Sequence, residues 1–122
     1  MGKRILAVDD ETDVLLIVKT ALTCEGFQVE TAHNGKDALA AAREQKPDLI
    51  LLDVMMPGMS GFDVMRELKA DESTATIPII MLTGLSERKK MQEALVGGTN
   101  YYIVKPFEMA DLINKVNDVL NI

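Results

Sequence analysis

The 122-residue chain is 48% hydrophobic and 26% charged, the proportions of one ordinary globular domain able to bury a core. A net charge of −6 argues against direct nucleic-acid binding, which needs an excess of Lys and Arg, and the single cysteine, Cys24, excludes an internal disulfide and a cysteine-built zinc site. No apolar run approaches the ~20 residues of a membrane helix, and Ile5 to Val8 is too short a run for a signal peptide, so a cytoplasmic location away from membranes is expected.

In chain order, residues 3–8 read as a strand that ends abruptly in Asp9-Asp10-Glu11. Thr12 or Asp13 is placed to cap a first helix with an apolar face of Val14, Ile17, Val18, Ala21 and Leu22, and Gly26 to end it in a left-handed turn. Residues 27–32 alternate polar and apolar, as in a more exposed strand. Asn34 caps a second helix, with Asp37 three residues on and a face of Ala38, Leu39, Ala41 and Ala42; Pro47 bars its continuation. Leu49 to Leu52 is apolar at every position, the pattern of a strand buried on both faces, and delivers Asp53 at its end. After Pro57-Gly58, Ser60 opens a third helix over residues 61–70 with Asp63 as its capping-box partner, and residues 71–76 read as a polar linker. Residues 77–82 form another continuous apolar strand ending at Thr83-Gly84, with Pro78 tolerated near its start. Ser86 is placed to cap a fourth helix carrying Met91, Ala94 and Leu95, ended by Gly97-Gly98. A fifth strand over residues 101–104 ends at Lys105-Pro106, and a last amphipathic helix spans residues 107–120.

Strand–helix alternation repeated five times predicts an α/β fold, with right-handed crossovers and helices on both faces of a mostly parallel sheet. One domain over residues 1–122, with no attached output domain, is expected. In a parallel sheet all strand ends point one way. Asp9-Asp10, Asp53, Thr83 and Lys105, each at the end of a different strand, should therefore meet at one edge, where open α/β sheets bind ligands. Clustered carboxylates repel unless a cation intervenes, and Mg²⁺ prefers such oxygen ligands. Lys105 supplies a point charge and Thr83 a hydroxyl, suited to a phosphoryl group that a carboxylate nucleophile can accept.

On Asp9-Asp10, the segment from Leu51-Leu52-Asp53 through Pro57-Gly58 to Gly61, Thr83-Gly84 and Tyr102-Ile103-Val104-Lys105-Pro106-Phe107, the sequence resembles a receiver domain of two-component response regulators, of the chemotaxis-regulator type. The resemblance covers essentially the whole chain. It implies a flavodoxin-like doubly wound fold: a five-stranded parallel sheet in the order 2-1-3-4-5 flanked by five helices. It implies that Asp53 is the phosphoacceptor, taking its phosphoryl group from a phosphohistidine of a sensor histidine kinase or histidine phosphotransfer protein. Mg²⁺ (or Mn²⁺) would be held by Asp10 directly, by Asp9 through water, by Asp53 and by the Met55 backbone carbonyl. Thr83 and Lys105 would contact the phosphoryl group. Tyr102 would turn inward as Thr83 moves, remodelling the surface of the fourth helix, fifth strand and fifth helix for an output protein or domain, or for a homodimer. The Lys105-Pro106 bond would be cis. Such a domain is a switch assisting its own phosphorylation and dephosphorylation rather than an enzyme in its own right.

A Mg²⁺-dependent aspartate phosphatase would carry a second aspartate two residues after the nucleophile, where this chain has Met55. A flavodoxin-like electron carrier would want a Ser/Thr/Gly-rich loop where Asp9-Asp10 stands. All five site positions are filled, against a degenerate receiver serving only as an interaction module. Met55 and Leu85, flanking the site, are expected to control water access. His33 reads as a surface residue, Cys24 as a buried small hydrophobe of the first helix, and Arg88-Lys89-Lys90 as a solvated helix start.

Overall fold

A computed structural model of the chain describes residues 2–84 and 101–121. Its elements are β1 (Arg4–Val8), α1 (Thr12–Cys24), β2 (Gln28–Ala32), α2 (Gly35–Gln45), β3 (Leu49–Asp53), α3 (Gly61–Ala70), β4 (Ile79–Thr83), β5 (Tyr101–Val104) and a C-terminal helix (Met109–Leu120). The predicted helix after Ser86, with Arg88-Lys89-Lys90 and Leu85, lies outside the described residues. The five strands form one parallel sheet in the order β2-β1-β3-β4-β5. Among the described residues, no helix is long and apolar enough to cross a membrane.

Alternate residues of each strand face opposite layers. Leu6, Val8, Ile50, Leu52, Ile79 and Met81 pack against α2 and α3, through Ala38, Leu39, Ala42, Val64, Met65 and Leu68. Ile5, Ala7, Leu49, Leu51, Ile80 and Leu82 pack against α1 and the C-terminal helix, through Leu15, Val18, Leu22, Leu112 and Val116. β3 and β4, at the centre, are buried along their whole length, while β2 alternates as its sequence does.

Local rules set the helix starts. The Asn34 side chain accepts the Asp37 amide, and Ser60 and Asp63 form a complete capping box. Gly26 takes φ +95° after α1, a conformation costly for residues with a Cβ.

Several expectations need correction. α1 begins one residue early, at Thr12, with Glu11 at the cap and no capping side chain. Its buried stripe is Leu15, Val18 and Leu22; Ile17, expected inside, is 59% exposed, as is Leu16 beside it at 63%. Five consecutive apolar residues, Val14 to Val18, fit more than one helical phase, so packing against the sheet decides the rotation. Cys24, two residues beyond the inward Leu22, is turned out and exposed. β4 starts at Ile79 rather than residue 77, because Pro78 has no N–H to donate; its carbonyl instead accepts the Ile50 amide at 3.0 Å. The C-terminal helix starts at Met109, two residues late, with Glu108 extended at its cap. The supposed linker is an anchored turn. Thr74 is buried and donates its hydroxyl to the Leu68 carbonyl at 2.7 Å, while the Lys69 ammonium donates to the Ala75 and Ile77 carbonyls.

Candidate functional site

Sheet register brings the chemistry together. Val8 lies beside Leu52 in the ladder, so Asp9 emerges next to Asp53; Thr83 lies beside Val104, so Lys105 emerges next to the end of β4. Strand parity then sorts the side chains. Asp9, Asp53 and Lys105 continue the Ala7, Leu51 and Ile103 series, which faces α1 and the C-terminal helix. Thr83 continues the Met81 series on the opposite face.

The Lys105 Nζ donates to Asp9 Oδ2 at 2.8 Å and to Asp53 Oδ1 at 3.1 Å. The second oxygen of Asp9, Oδ1, accepts the Glu11 amide at 2.9 Å, so both its oxygens are engaged. Asp53 Oδ1 also takes the Met55 amide, at 3.4 Å. Among the described residues no hydrogen-bond donor reaches Asp53 Oδ2. Asp9 and Asp53 are 1% and 4% exposed, whereas Asp10 stands in solvent. One oxygen from each of Asp9, Asp10 and Asp53 falls within a 4.8 Å cluster. Three carboxylates against one ammonium leave a formal charge of −2. The donor set is all oxygen, partly open to solvent through Asp10, and its charge matches a hard divalent cation. These residues could hold a metal.

The electrostatics follow. Burial, reinforced by the neighbouring Asp9 carboxylate, pushes the Asp53 carboxyl up from 3.8 to about 7, against the opposing pull of Lys105 and the Met55 amide. Burial pulls the Lys105 ammonium down, but its hydrogen bond to Asp9 and the charge of Asp53 outweigh that and hold it above the ordinary lysine range.

Not every predicted site residue joins this trio. The Thr83 hydroxyl is buried and donates to the Gly84 carbonyl at 3.1 Å, turned to its own chain. Tyr102 is half-buried against the layer of α2 and α3, on the face shared by Met81 and Thr83, while Tyr101 packs on the opposite layer. Met55 presents its backbone to Asp53 and its side chain, 62% exposed, to solvent. The Lys105-Pro106 bond is cis.

Two features escaped the sequence reading. Gly61, where α3 starts, lies so close to the Asp53 carbonyl that an added Cβ would sit 2.2 Å from its oxygen. The Ser60-Gly61 pair at the helix start carried that signal. A groove of about 390 Å³ runs beside Lys105, between Val14, Ile17 and Val18 of α1 and Pro106, Phe107 and Met109. The mis-phased reading of α1 hid it.

The sequence model of the response regulator receiver domain matches residues 5–117. The chain is 43% identical over 120 residues to the phosphate regulon transcriptional regulatory protein PhoB of Pseudomonas aeruginosa, covering 98% of this chain and 52% of that protein. The chain spans about half, or less, of the length of the first curated relatives it matches. Among solved structures, the chemotaxis protein CheY4 of Vibrio cholerae superposes with a TM-score of 0.92 at 35% identity, over 98% of this chain and 100% of that one. The receiver domain of the sensor histidine kinase PA1611 of P. aeruginosa, a structure with a magnesium ion coordinated in its active-site cleft, gives a TM-score of 0.89 at 30% identity, over the whole of both chains.

Proposed function

The chain belongs to the response regulator receiver domain family of two-component systems, and from that premise we propose that it is a phosphorylation switch in which Asp53 accepts a phosphoryl group from a phosphohistidine. The observation that carries this reading is the meeting of Asp9, Asp53 and the Lys105 ammonium at 2.8 and 3.1 Å, with Asp10 at the open side. Asp53 Oδ2 is the oxygen placed to attack phosphorus. The bond from phosphorus to the histidine nitrogen breaks as the new one forms, and the electron pair stays on the imidazole. Lys105 sits where it can meet the charge of the incoming phosphoryl oxygens, and Asp9 positions Lys105 by pairing with it while its other oxygen is fixed by the Glu11 amide. Asp10, Asp9, Asp53 and the Met55 carbonyl would hold Mg²⁺ (or Mn²⁺), which supplies neutralisation of the crowded negative charge when bound.

The phosphoryl group adds roughly −1.5 to −2 charge. Thr83 would give up its bond to the Gly84 carbonyl for a phosphoryl oxygen. Tyr102, on the same strand face as Thr83, is the aromatic residue placed to follow it; Tyr101, on the other face, is not. The phosphoryl donor is a sensor histidine kinase or histidine phosphotransfer protein, and the groove beside Lys105 with the exposed Leu16 and Ile17 offers it an apolar seat. The readout is an output protein or domain, or a second copy of this chain, on the surface that includes β5 and the C-terminal helix. Residues 1–122 act as one domain, in the cytoplasm, as a switch rather than an enzyme acting on a separate substrate. Incubation with acetyl phosphate and Mg²⁺ should add one phosphate to the intact mass, and Asp53→Asn should abolish the gain. A gain that survives the substitution removes Asp53 from the role.

A further inference from the structure

We infer that the Asn34-Gly35 bond is a chemical modification site, where the Asn34 amide is lost through a cyclic imide at a rate set by the cap of α2. The inference is independent of the role of Asp53. Of the five asparagines only Asn34 precedes a glycine. Glycine has no Cβ, so the backbone nitrogen that must attack the Asn34 side chain is the least hindered one available. Asn34 is exposed, and Gly35 opens α2, where a first-turn N–H has no acceptor within its own helix. Packing keeps this reactive pair in the chain. A Cβ at Gly35 would sit 2.7 Å from Met59 Sδ and 2.9 Å from Val64 Cγ2, so the close approach of α2 to the start of α3 demands glycine.

Three hydrogen bonds hold the pair unreactive. Asn34 Oδ1 accepts the Asp37 amide at 2.8 Å, Nδ2 donates to Asp37 Oδ2 at 3.0 Å, and the Asn34 backbone carbonyl accepts the Ala38 amide at 3.0 Å. Ring closure needs Cγ and the Gly35 nitrogen nearly eclipsed about the Cα–C bond. The extended cap backbone, with φ −156° and ψ 169°, holds them away from that arrangement, and turning the bond breaks the cap. Once the cap opens, hydroxide takes the Gly35 amide proton and the nitrogen bonds to Asn34 Cγ. The Cγ–Nδ2 bond breaks, and ammonia leaves with a proton from water. Water then opens the ring, with nothing oxidised or reduced. Attack at Cγ gives aspartate; attack at the main-chain carbonyl gives isoaspartate, whose backbone runs through Cγ and is one methylene longer. Aspartate still caps α2. Isoaspartate displaces Gly35, which has no room beside Met59 and Val64, so the start of α2 loosens.

The test incubates the full chain in mildly alkaline buffer, with and without unfolding concentrations of urea, and follows each asparagine by tandem mass spectrometry. The Asn34→Asp protein supplies the reference peptide that separates aspartate from isoaspartate by retention. Asp37→Ala, which removes the bond to Nδ2 and leaves the amide bond to Oδ1, goes through the same steps. The expected result is conversion at position 34 ahead of the other asparagines, to isoaspartate as well as aspartate. It is slower in the folded parent than in urea. It is roughly fivefold faster in folded Asp37→Ala than in the folded parent, the change that loss of a cap makes in an opening equilibrium, and equal for the two proteins in urea. Conversion at another asparagine ahead of position 34 in urea overturns the site. Equal rates for the folded parent with and without urea, or for the two folded proteins, overturn control by the cap. A difference between the two proteins that persists in urea also overturns it, since Asp37 would then act on the chemistry and not on the fold.

Discussion

Asp53 combines deep burial with a charge that its surroundings do not fully balance. Lys105 is shared with Asp9, so one ammonium serves two buried carboxylates. The carboxyl is consequently pushed from 3.8 to about 7. For an acid whose pKa is raised on folding, the folded state binds the proton more tightly, so stability falls as pH rises through the window between the two values and is level above it. Without a divalent cation the protein should therefore lose stability, on the order of 3 kcal/mol, between about pH 4 and pH 7 from this group. Asp53→Asn, which mimics the protonated acid, should be more stable than the parent at pH 8 by about 1–3 kcal/mol and should flatten that part of the profile. Mg²⁺ should raise the melting temperature of the parent at pH 8 and leave Asp53→Asn nearly unmoved. Urea or thermal unfolding across pH reads all three, and a parent profile that rises from pH 4 to 7 relative to Asp53→Asn contradicts the account. Gly61 gives a second residue-scale prediction. A Cβ there meets backbone, the Asp53 carbonyl, which no rotamer can relieve. Gly61→Ala should cost about 1–3 kcal/mol in unfolding free energy and slow phosphorylation by moving the end of β3. Unchanged stability and rate would show that the contact relaxes freely.

At the scale of elements, the strands were the most legible part of the sequence. A strand buried on both faces has only its ends in which to place polar groups, so the run Leu49 to Leu52 announced both itself and Asp53. Helix starts were legible where a side chain caps them, at Asn34 and Ser60. They were misread where none does, at Glu11 and Glu108. The phase of α1 was not legible because Val14 to Val18 is apolar throughout, and Cys24 inherited that error. The turn at Thr74 was hidden for a different reason: its hydroxyl is satisfied by a carbonyl six residues back, which composition does not reveal. β5 shows what parity adds to a motif. Adjacent tyrosines are equivalent as letters, yet Tyr102 shares a face with Met81 and Thr83 and Tyr101 does not. The chain has no tryptophan and only these two tyrosines. Phosphorylation should change tyrosine fluorescence in Tyr101→Phe and leave it unchanged in Tyr102→Phe; the reverse pattern would reassign the switch to the other face.

Over the whole molecule, the site exists because one sheet direction and one parity coincide. Parallel strands send β1, β3, β4 and β5 to the same edge, and Asp9, Asp53 and Lys105 fall on the same side of it. The sequence supported the convergence, since a parallel sheet and its strand ends follow from alternation, while the strand order was implied by the family resemblance. It could not supply the division of labour within it: one Asp9 oxygen on Lys105 and one on the Glu11 amide, Lys105 shared with Asp53, and the remaining Asp53 oxygen without a hydrogen-bond donor among the described residues. Those depend on side-chain geometry that register alone leaves open. The same architecture explains why the net charge of −6 sits comfortably with a phosphate-accepting role. The anion is met by Lys105 and a bound cation at one edge rather than by a basic surface. The central claim is that this edge makes Asp53 the residue that carries the phosphoryl group. Borohydride reduces an acyl phosphate, and only that form of the side chain, to the alcohol, converting aspartate to homoserine. Tandem mass spectrometry of the protein phosphorylated with Mg²⁺ and then reduced should find homoserine at position 53 and at no other aspartate; homoserine at Asp9 or Asp10, with Asp53 intact, would contradict the account.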